Sequence, residues 1–267
     1  MLIDAHCHVW RIGENDHEWP TPDLPAIHRD FDLADLRAEG GPDGVVLVQS
    51  QPSERDTAWL LALPEADPLV LGVVGWTDLA APDAPARVAA LAKNPKLKGL
   101  RPMLQGLAPD AMLDLALEPG IAAMVEAGLA FDALVRPAHL PHLLTFVRRW
   151  PGLRVVIDHG GKPMIGEGRL DPWRADIAAL AAEPGVHCKL SGLLTEAGQT
   201  PTAEAVAPYA AHLLAAFGPE RLMWGSDWPV LNLAGDYSRW RRMCEAWVAP
   251  SGRAALFGET ARRFYRL

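Results

Sequence analysis

Short apolar runs alternate along this chain with Ala- and Leu-rich segments of helical spacing, and this alternation constrains the fold more than any other feature. The runs are apolar on both faces, which is typical of strands in a parallel sheet that helices cover on both sides. Eight such runs, roughly 25 to 40 residues apart, predict a closed (β/α)8 barrel of the TIM type with its active site at the C-terminal ends of the strands. The predicted strands are residues 2–3, 44–48, 69–74, 97–100, 129–135, 153–157, 186–190 and 221–224.

The segments between these runs predict helices, because their apolar residues recur at three- and four-residue intervals. Residues 1–267 suit a single barrel domain, since such barrels commonly contain about 250 residues. An open, doubly wound sheet is the alternative, although no GxGxxG or GxxxxGKS/T loop follows any of the strands. Examples of these predicted helices are 56–63, 85–92, 111–127, 140–150, 173–182 and 202–217.

Charge and cysteine content exclude several classes of partner. The formal net charge is −8 and the pI is near 5.6, which argues against a nucleic acid or an anionic membrane surface, because clustered Lys and Arg normally meet such partners. The three cysteines are separated and form no CxxC pair, and the chain shows neither a signal peptide nor an apolar run of about 18 residues. A cytoplasmic protein without a membrane span is therefore expected, and a homo-oligomer is left open.

The first predicted strand ends in the sequence Asp4-Ala5-His6-Cys7-His8. Side chains two residues apart on a strand share a face, so His6 and His8 are expected to point together into the barrel mouth while Cys7 faces the helices. Two converging imidazoles suit a divalent metal or a polar cluster that holds an oxyanion. An HxH pair alone indicates function only weakly.

Three further strand ends strengthen the prediction of an active site. Asp158-His159-Gly160-Gly161 follows the sixth predicted strand, Lys189-Leu190-Ser191-Gly192 ends the seventh, and Gly225-Ser226-Asp227-Trp228-Pro229 follows the eighth. In a barrel these carboxyl ends meet at one rim, so their side chains become neighbours around one pocket. A polar residue at one strand end is often only a cap. Charged groups at three successive ends are harder to attribute to packing, since an unpaired charge near a core costs several kcal/mol.

These motifs resemble those of the amidohydrolase superfamily, specifically its amidohydrolase-related branch, which holds sugar lactonases, pyrone-dicarboxylate lactonases and aminocarboxymuconate-type decarboxylases. The resemblance spans the whole chain. The tryptophan after the HxH pair and the GWTDL, KLSGL and WGSDWP elements look like the lactonase side of that branch. The other motifs on which the resemblance rests are Ile3-Asp4-Ala5-His6-Cys7-His8-Val9-Trp10, Val74-Gly75-Trp76-Thr77-Asp78-Leu79, Lys98-Gly99-Leu100-Arg101-Pro102 and Asp158-His159-Gly160-Gly161-Lys162-Pro163.

The resemblance implies a centre formed by His6, His8, His159 and Asp227, in which Asp227 is the base that activates water and His159 assists catalysis. A rim carboxylate can take a proton from water, and a metal or imidazoles can polarise the ester carbonyl. The same four residues are the expected ligands of one divalent ion, with zinc as first choice. Metal-free hydrolysis is the alternative, because some lactonases of this branch are thought to work without a metal.

A binuclear site is disfavoured by the resemblance. Binuclear members of the superfamily carry a modified lysine on the fourth or fifth strand, which bridges the two ions. This sequence instead has Arg101 after the fourth strand and Asp132 or Arg136 near the fifth. The lysine that would bridge two ions is therefore absent from the expected position.

Cations at the rim are the first candidates for substrate contacts. Arg101 can hold a carboxylate through two N–H groups and Lys189 can act as a point charge, although a local salt bridge is the alternative for both. The remaining candidates could stack on a sugar ring or bond its hydroxyls, but packing explains them nearly as well; they are Trp76, Trp228, Gln49 and Gln105. The long connection 11–29 after the first strand is interpreted as a lid or substrate wall, with an ordinary surface loop as the alternative.

The favoured function is a lactonase that opens the cyclic ester of a sugar acid, an aldonolactone or a related lactone, to the hydroxy acid. Its substrate is a small molecule. A metal-dependent decarboxylase of an unsaturated acid in the same scaffold is the second hypothesis. A barrel that only binds a metabolite or a metal is the third.

Overall fold

The computed structural model describes residues 1–198 and 201–267. Within these ranges eight parallel strands pair in chain order, and a bridge between Cys7 and Trp228 brings the end of the last strand back to the first. The predicted (β/α)8 barrel is therefore confirmed. The strands are β1 (Ile3–Cys7), β2 (Gly44–Val48), β3 (Val70–Gly75), β4 (Leu97–Leu100), β5 (Ala130–Ala133), β6 (Arg154–Ile157), β7 (Val186–Leu190) and β8 (Leu222–Trp224).

Helices alternate with the strands and cover the outside of the barrel. Among the described residues, no helix has both the length and the hydropathy needed to cross a membrane. The α-helices are α1 (Leu33–Ala38), α2 (Glu54–Ala66), α3 (Ala84–Leu91), α4 (Glu118–Ala127), α5 (Leu140–Arg149), α6 (Trp173–Ala181), α7 (Ala203–Phe217), α8 (Tyr237–Trp247) and α9 (Thr260–Tyr265).

The helix predicted over 111–127 is wrong in its first half. Ala111–Leu113 and Leu115–Leu117 form separate 3-10 turns, and the α-helix begins only at Glu118. Asp114 interrupts the helical pattern, because its backbone is extended (φ −60°, ψ 129°) and its side chain accepts a hydrogen bond from the Ala116 amide at 2.9 Å. Short polar side chains that bond nearby backbone groups compete with helix formation in this way.

Two apolar clusters fill the fold, one between the strands and the helices and a smaller one inside the barrel. The inner cluster lies near the amino ends of the strands, where Ile3, Val46 and Met223 pack against Phe264 and Tyr265 of α9. Helix α9 therefore closes the N-terminal end of the barrel. The interior toward the other end is polar, and the site is built there.

Candidate active site

A β-bulge in β1 turns two histidines toward the barrel axis. The pairing register between β1 and β2 shifts between Asp4 and Cys7. The Asp4 carboxylate holds this irregularity by accepting hydrogen bonds from the amides of His6 (3.2 Å) and Ser226 (2.9 Å). Cys7 packs in the helix-facing cluster, whereas the Nε2 atoms of His6 and His8 lie 3.2 Å apart inside the barrel. The two histidines thus converge, as the alternation of side chains along a strand predicted. The bulge that turns them inward was not predicted.

Asp227, which follows β8, places its carboxylate among three imidazoles. Its Oδ1 lies 3.3 Å from His8 Nε2, 3.7 Å from His6 Nε2 and 3.8 Å from His159 Nε2. The Asp227 backbone is left-handed (φ 60°), a conformation uncommon for residues other than glycine and often found where function requires it. Its amide donates to the His6 carbonyl at 2.8 Å, which ties this turn to β1.

His159 reaches the same centre from the turn after β6. Its backbone is also left-handed (φ 54°), and its Nδ1 lies 2.9 Å from Ser191 Oγ. Gly192 leaves the room that the ring occupies, because a Cβ at that position would be 2.6 Å from His159 Nδ1. The Ser-Gly pair after β7 therefore orients this histidine.

Burial and neighbouring charges set the ionisation of the centre. Burial raises the pKa of Asp227, but His159, His8 and His6 together hold it below its ordinary value, so the carboxylate is ionised at neutral pH. Burial lowers the pKa of His159 to about 4. Burial and the nearby Lys189 ammonium lower the pKa of His6 well below its usual range. The centre thus combines an ionised carboxylate with neutral imidazoles at His6 and His159.

A cavity of about 290 Å³ opens above Asp227 at the C-terminal end of the barrel. It has the size and mixed lining of a small-ligand site. Polar and apolar residues both line it. The polar residues include His8, Arg101, Gln105, His159, Lys162 and Asp227, and the apolar ones include Trp19, Pro52, Met103, Leu134 and Val230.

Arg101 lines this cavity and is fixed by its neighbours. Its guanidinium donates to the Gln49 carbonyl and lies 3.5 Å from Asp158 Oδ2. The Gln49 amide in turn donates to the Arg101 carbonyl at 2.9 Å. The Gln49 side chain is fully buried and lies outside the cavity lining, so it supports Arg101 and the expectation that it contacts substrate does not hold. Within the described residues, Arg101 Nε and Gln105 Oε1 have no hydrogen-bond partner, and both residues line the cavity.

Lys189 lies beneath the cavity, and its predicted contact with substrate is corrected. The side chain is fully buried and its Nζ lies 2.6 Å from Asp132 Oδ2 and 2.9 Å from Asp158 Oδ1. Nζ also lies 3.0 Å from His6 Nδ1. The salt-bridge alternative therefore describes this residue, and its two carboxylate partners compensate the cost of burying the ammonium.

The two tryptophans proposed as sugar-stacking groups lie outside the cavity. Trp228 is buried against Phe31, with ring centroids 5.2 Å apart, and its carbonyl accepts a hydrogen bond from the His8 amide at 2.7 Å. Trp76 is anchored through its backbone to the Thr57 hydroxyl, to which its amide donates at 2.8 Å. Both residues shape the scaffold rather than the cavity surface.

The connection 11–29 forms one wall of the cavity. His17 Nε2 lies 2.8 Å from Ser50 Oγ, and the Gln51 side chain donates to the Trp19 carbonyl at 3.2 Å. These contacts fasten the connection to the turn after β2, and Trp19 itself lines the cavity. The interpretation as a substrate wall fits this arrangement better than that of a free surface loop.

Lys162 is a cavity residue that the sequence reasoning missed. It lines the cavity and its Nζ lies 3.3 Å from Glu196 Oε1 at the rim. The signal was present in the Asp158-His159-Gly160-Gly161-Lys162-Pro163 motif, which places a cation three residues after His159. The apolar lining residues Met103, Leu134 and Val230 carried no comparable signal, since apolar residues near strand ends are common.

The donor atoms at the centre fit a single divalent ion. One ligand atom from each of His6, His159 and Asp227 lies within 4.8 Å of the other two. The His8 ring bonds the Val48 carbonyl through Nδ1 at 2.7 Å, which directs its Nε2 lone pair at Asp227. Two acceptors so close require a shared proton or cation. Imidazole nitrogens with a carboxylate oxygen are a usual zinc donor set.

Comparison with known proteins agrees with this geometry. The amidohydrolase family model matches residues 3–267. A protein of Burkholderia ambifaria called L-fucono-1,5-lactonase is 50% identical over 276 residues, which cover 99% of this chain and 95% of that protein. A second L-fucono-1,5-lactonase, from Burkholderia multivorans, is 36% identical over 286 residues and covers 100% of this chain and 96% of its own.

A solved structure shows the same architecture. An amidohydrolase from Burkholderia multivorans with bound zinc superimposes with a TM-score of 0.94 at 35% identity, over 100% of this chain and 99% of that one. The resemblance drawn from the strand-end motifs is confirmed. The family match over nearly the whole chain and the relatives at 50% and 36% identity show that the protein belongs to the amidohydrolase family.

Proposed function

We propose that this protein hydrolyses the ring ester of a sugar-acid 1,5-lactone, with L-fucono-1,5-lactone as the first substrate to test. The observation that carries the proposal is the ionised Asp227 carboxylate, which lies within 3.8 Å of three imidazoles at the floor of a small cavity. The two relatives named L-fucono-1,5-lactonase support the choice of lactone. The decarboxylase hypothesis has no comparable support among them.

The geometry suits water attack on the lactone carbonyl. Asp227 accepts a proton from water, whose oxygen bonds to the carbonyl carbon. The guanidinium of Arg101 faces the same space and stabilises the oxyanion that develops. In the metal-free alternative, an N–H at His159 Nε2 would add a second donor. The ring C–O bond then breaks, and the proton held by Asp227 passes to the leaving oxygen. The product is the open hydroxy acid, which releases one proton at neutral pH.

Substrate hydroxyls have partners on the cavity wall. Arg101 and Gln105 both line the cavity, so a guanidinium and a carboxamide stand on the wall that a polyhydroxylated ring would contact. Lys162 adds a cation at the rim. The apolar lining residues Met103, Leu134 and Val230 suit the carbon face of the sugar.

The experiment that tests this function is a panel of aldono-1,5-lactones assayed with a pH indicator. Hydrolysis releases a proton without carbon dioxide, and we expect the L-fucono compound to be among the best substrates. Release of carbon dioxide from an unsaturated acid would support the decarboxylase instead. Binding of a lactone without turnover, at protein concentrations that would reveal slow hydrolysis, would favour a barrel that only binds.

We further propose one divalent ion at the centre, with zinc as first choice, held by His6, His159 and Asp227 and with His8 as an additional donor. Such an ion polarises the ester carbonyl as a Lewis acid. Chelation and dialysis, verified by elemental analysis, are expected to abolish hydrolysis, and zinc or manganese to restore it. An unchanged rate after verified removal would favour the metal-free alternative.

We also propose that residues 1–267 form one domain that works in the cytoplasm on a small-molecule substrate. Three free cysteines, all of them buried, support a reducing compartment; they are Cys7, Cys188 and Cys244. A homo-oligomer is an extension of this proposal, and light scattering on the purified protein measures it directly.

A further inference from the structure

A buried carboxylate connects the closed end of the barrel to the active site. Asp132 lies on the inner side of β5 and is fully buried. Its Oδ2 accepts one hydrogen bond from the Lys189 ammonium at 2.6 Å and another from the Tyr265 hydroxyl at 2.6 Å. Tyr265 belongs to α9, the helix that closes the N-terminal end. Asp132 therefore joins the C-terminal helix to the ion-pair cluster inside the barrel.

The cluster continues upward from Lys189 to the proposed centre. Lys189 Nζ lies 2.9 Å from Asp158 Oδ1 and 3.0 Å from His6 Nδ1. His6 Nδ1 also lies 3.3 Å from Asp158 Oδ1. The orientation of the His6 ring is thus set from below by one ammonium and one carboxylate. Tyr265, Asp132, Lys189 and His6 form an unbroken chain of contacts across the barrel.

If the Tyr265 hydroxyl were lost, no second hydrogen bond would replace it at the Asp132 carboxylate. Asp132 Oδ1 has no hydrogen-bond partner within the described residues, so all the hydrogen bonds to this carboxylate are made at Oδ2, by Lys189 and Tyr265. A buried carboxylate that loses a donor draws more strongly on the donors that remain. Without the phenol, Oδ2 is held by Lys189 alone, so the Asp132 carboxylate and the ammonium bonded to it are free to shift together relative to His6.

We propose that Tyr265 is a positioning residue for the reaction: its hydroxyl fixes Asp132, Asp132 fixes the Lys189 ammonium, and that ammonium orients His6. The inference rests on the proposed lactone hydrolysis for its kinetic test. Tyr265 acts at a distance from substrate, since it lies at the end of the barrel opposite to the cavity. The expected effect is therefore on kcat, while KM depends on the cavity wall, which none of these four residues lines.

Tyr265→Phe removes only the hydroxyl and is the first test. We expect kcat on the best lactone of the panel to fall about tenfold, with KM within twofold of the wild type, as for the loss of one well-placed hydrogen bond. Tyr209→Phe is the matched control, because it makes the same change at a tyrosine that is buried in α7 against the Trp173 ring, outside the cluster. It is expected to leave both kcat and KM unchanged.

A spectroscopic readout separates positioning from general destabilisation. The ring ¹⁵N resonances of His6, assigned by the loss of signal in His6→Gln, are expected to shift in Tyr265→Phe and to stay in place in Tyr209→Phe. This measurement needs no substrate. If the wild type hydrolysed no lactone while the His6 signals still shifted, the proposed function would fail and the positioning role would stand.

Two results would overturn the inference. One is a Tyr265→Phe variant with wild-type kcat and unshifted His6 signals. If Tyr265→Phe does not fold, Asp132→Asn replaces it, because the amide keeps the shape of the side chain but removes the charge that holds Lys189. An Asp132→Asn variant with wild-type kcat and His6 signals is the second contradicting result; a fall in kcat at constant KM supports the chain of contacts.

Discussion

Gly192 and Gly225 leave the space that two histidines of the centre occupy. A Cβ on Gly225 would lie 2.7 Å from His6 Cβ, and a Cβ on Gly192 would lie 2.6 Å from His159 Nδ1. Gly192 also has a left-handed backbone (φ 63°), which disfavours any side chain. The glycines of the two strand-end motifs thus have a steric role at the level of single atoms.

Gly192→Ala is expected to lower kcat by at least tenfold, because the new methyl group forces the His159 ring away from Asp227 and small misplacements are costly in catalysis. Gly168→Ala is the control, since Gly168 has nearly the same backbone (φ 64°) but a Cβ there would meet no atom of the described residues within 4 Å. Steady-state kinetics below both melting temperatures compare the two. Equal kcat values would mean that the contact with His159 is unimportant.

The two lysines near the site are expected to behave differently on substitution. Lys189→Ala leaves Asp132 and Asp158 buried without their ammonium, and breaking such a pair typically costs about 3 to 5 kcal/mol. Lys162→Ala removes a cavity cation that is paired at the rim with Glu196, so KM is expected to rise several-fold at nearly unchanged melting temperature. Thermal unfolding and kinetics on both variants test this. A Lys189→Ala variant that melts like the wild type and shows only a raised KM would instead make Lys189 a substrate-binding residue.

At the scale of elements, short helices escaped the sequence pattern. Helix α1 has only six residues, too few for an apolar repeat to be recognised. The feature that marks this helix in the sequence is its N-terminal cap. The Asp32 carboxylate accepts a hydrogen bond from the Asp35 amide at 3.0 Å, and the Asp35 carboxylate accepts one from the Asp32 amide at 3.1 Å. This reciprocal capping box is visible in sequence as two acidic residues three apart. The bulge in β1 left no such signal, because it depends on contacts with the end of β8.

The first turn of α2 holds a buried acid with consequences for stability. Burial raises the pKa of Asp56 to about 7, although the amides of Ser50 and Gln51 and the charge of Arg101 favour its ionised form. The unfolded chain releases this proton near the ordinary pKa of 3.8. Between these values the folded state binds more protons than the unfolded one, so its stability falls as the pH rises.

Asp56→Asn is expected to remove this dependence. Relative to the wild type, the free energy of unfolding of the variant should rise by about 2 to 3 kcal/mol between pH 5 and pH 8. Denaturant unfolding at the two pH values measures it, with the exposed Asp110→Asn as the control that should show no such change. If the free energies of unfolding of Asp56→Asn and of the wild type differed by the same amount at both pH values, Asp56 would be ionised in the folded state at both.

At the scale of the whole molecule, the barrel topology made much of the site predictable. Once eight parallel strands are expected, residues at their carboxyl ends must meet, and His6, His8, His159 and Asp227 do so. Depth along a strand was harder to predict. Arg101 follows β4 and reaches the cavity, whereas Lys189 lies within β7 and points into the ion-pair cluster beneath it. The direction in which a side chain points was harder still to predict. Trp228 points away from the cavity and packs on Phe31, because the left-handed backbone of Asp227 turns the chain just before it.

The rate of proton release from L-fucono-1,5-lactone by Asp227→Asn tests the central claim most directly. The amide keeps the shape of the side chain but cannot accept the proton of the attacking water, so kcat is expected to fall about 100-fold or more. Asp110→Asn, at an exposed position whose side chain makes no cap hydrogen bond, should retain wild-type kcat. An Asp227→Asn variant that is folded and hydrolyses the lactone at the wild-type rate would contradict the account.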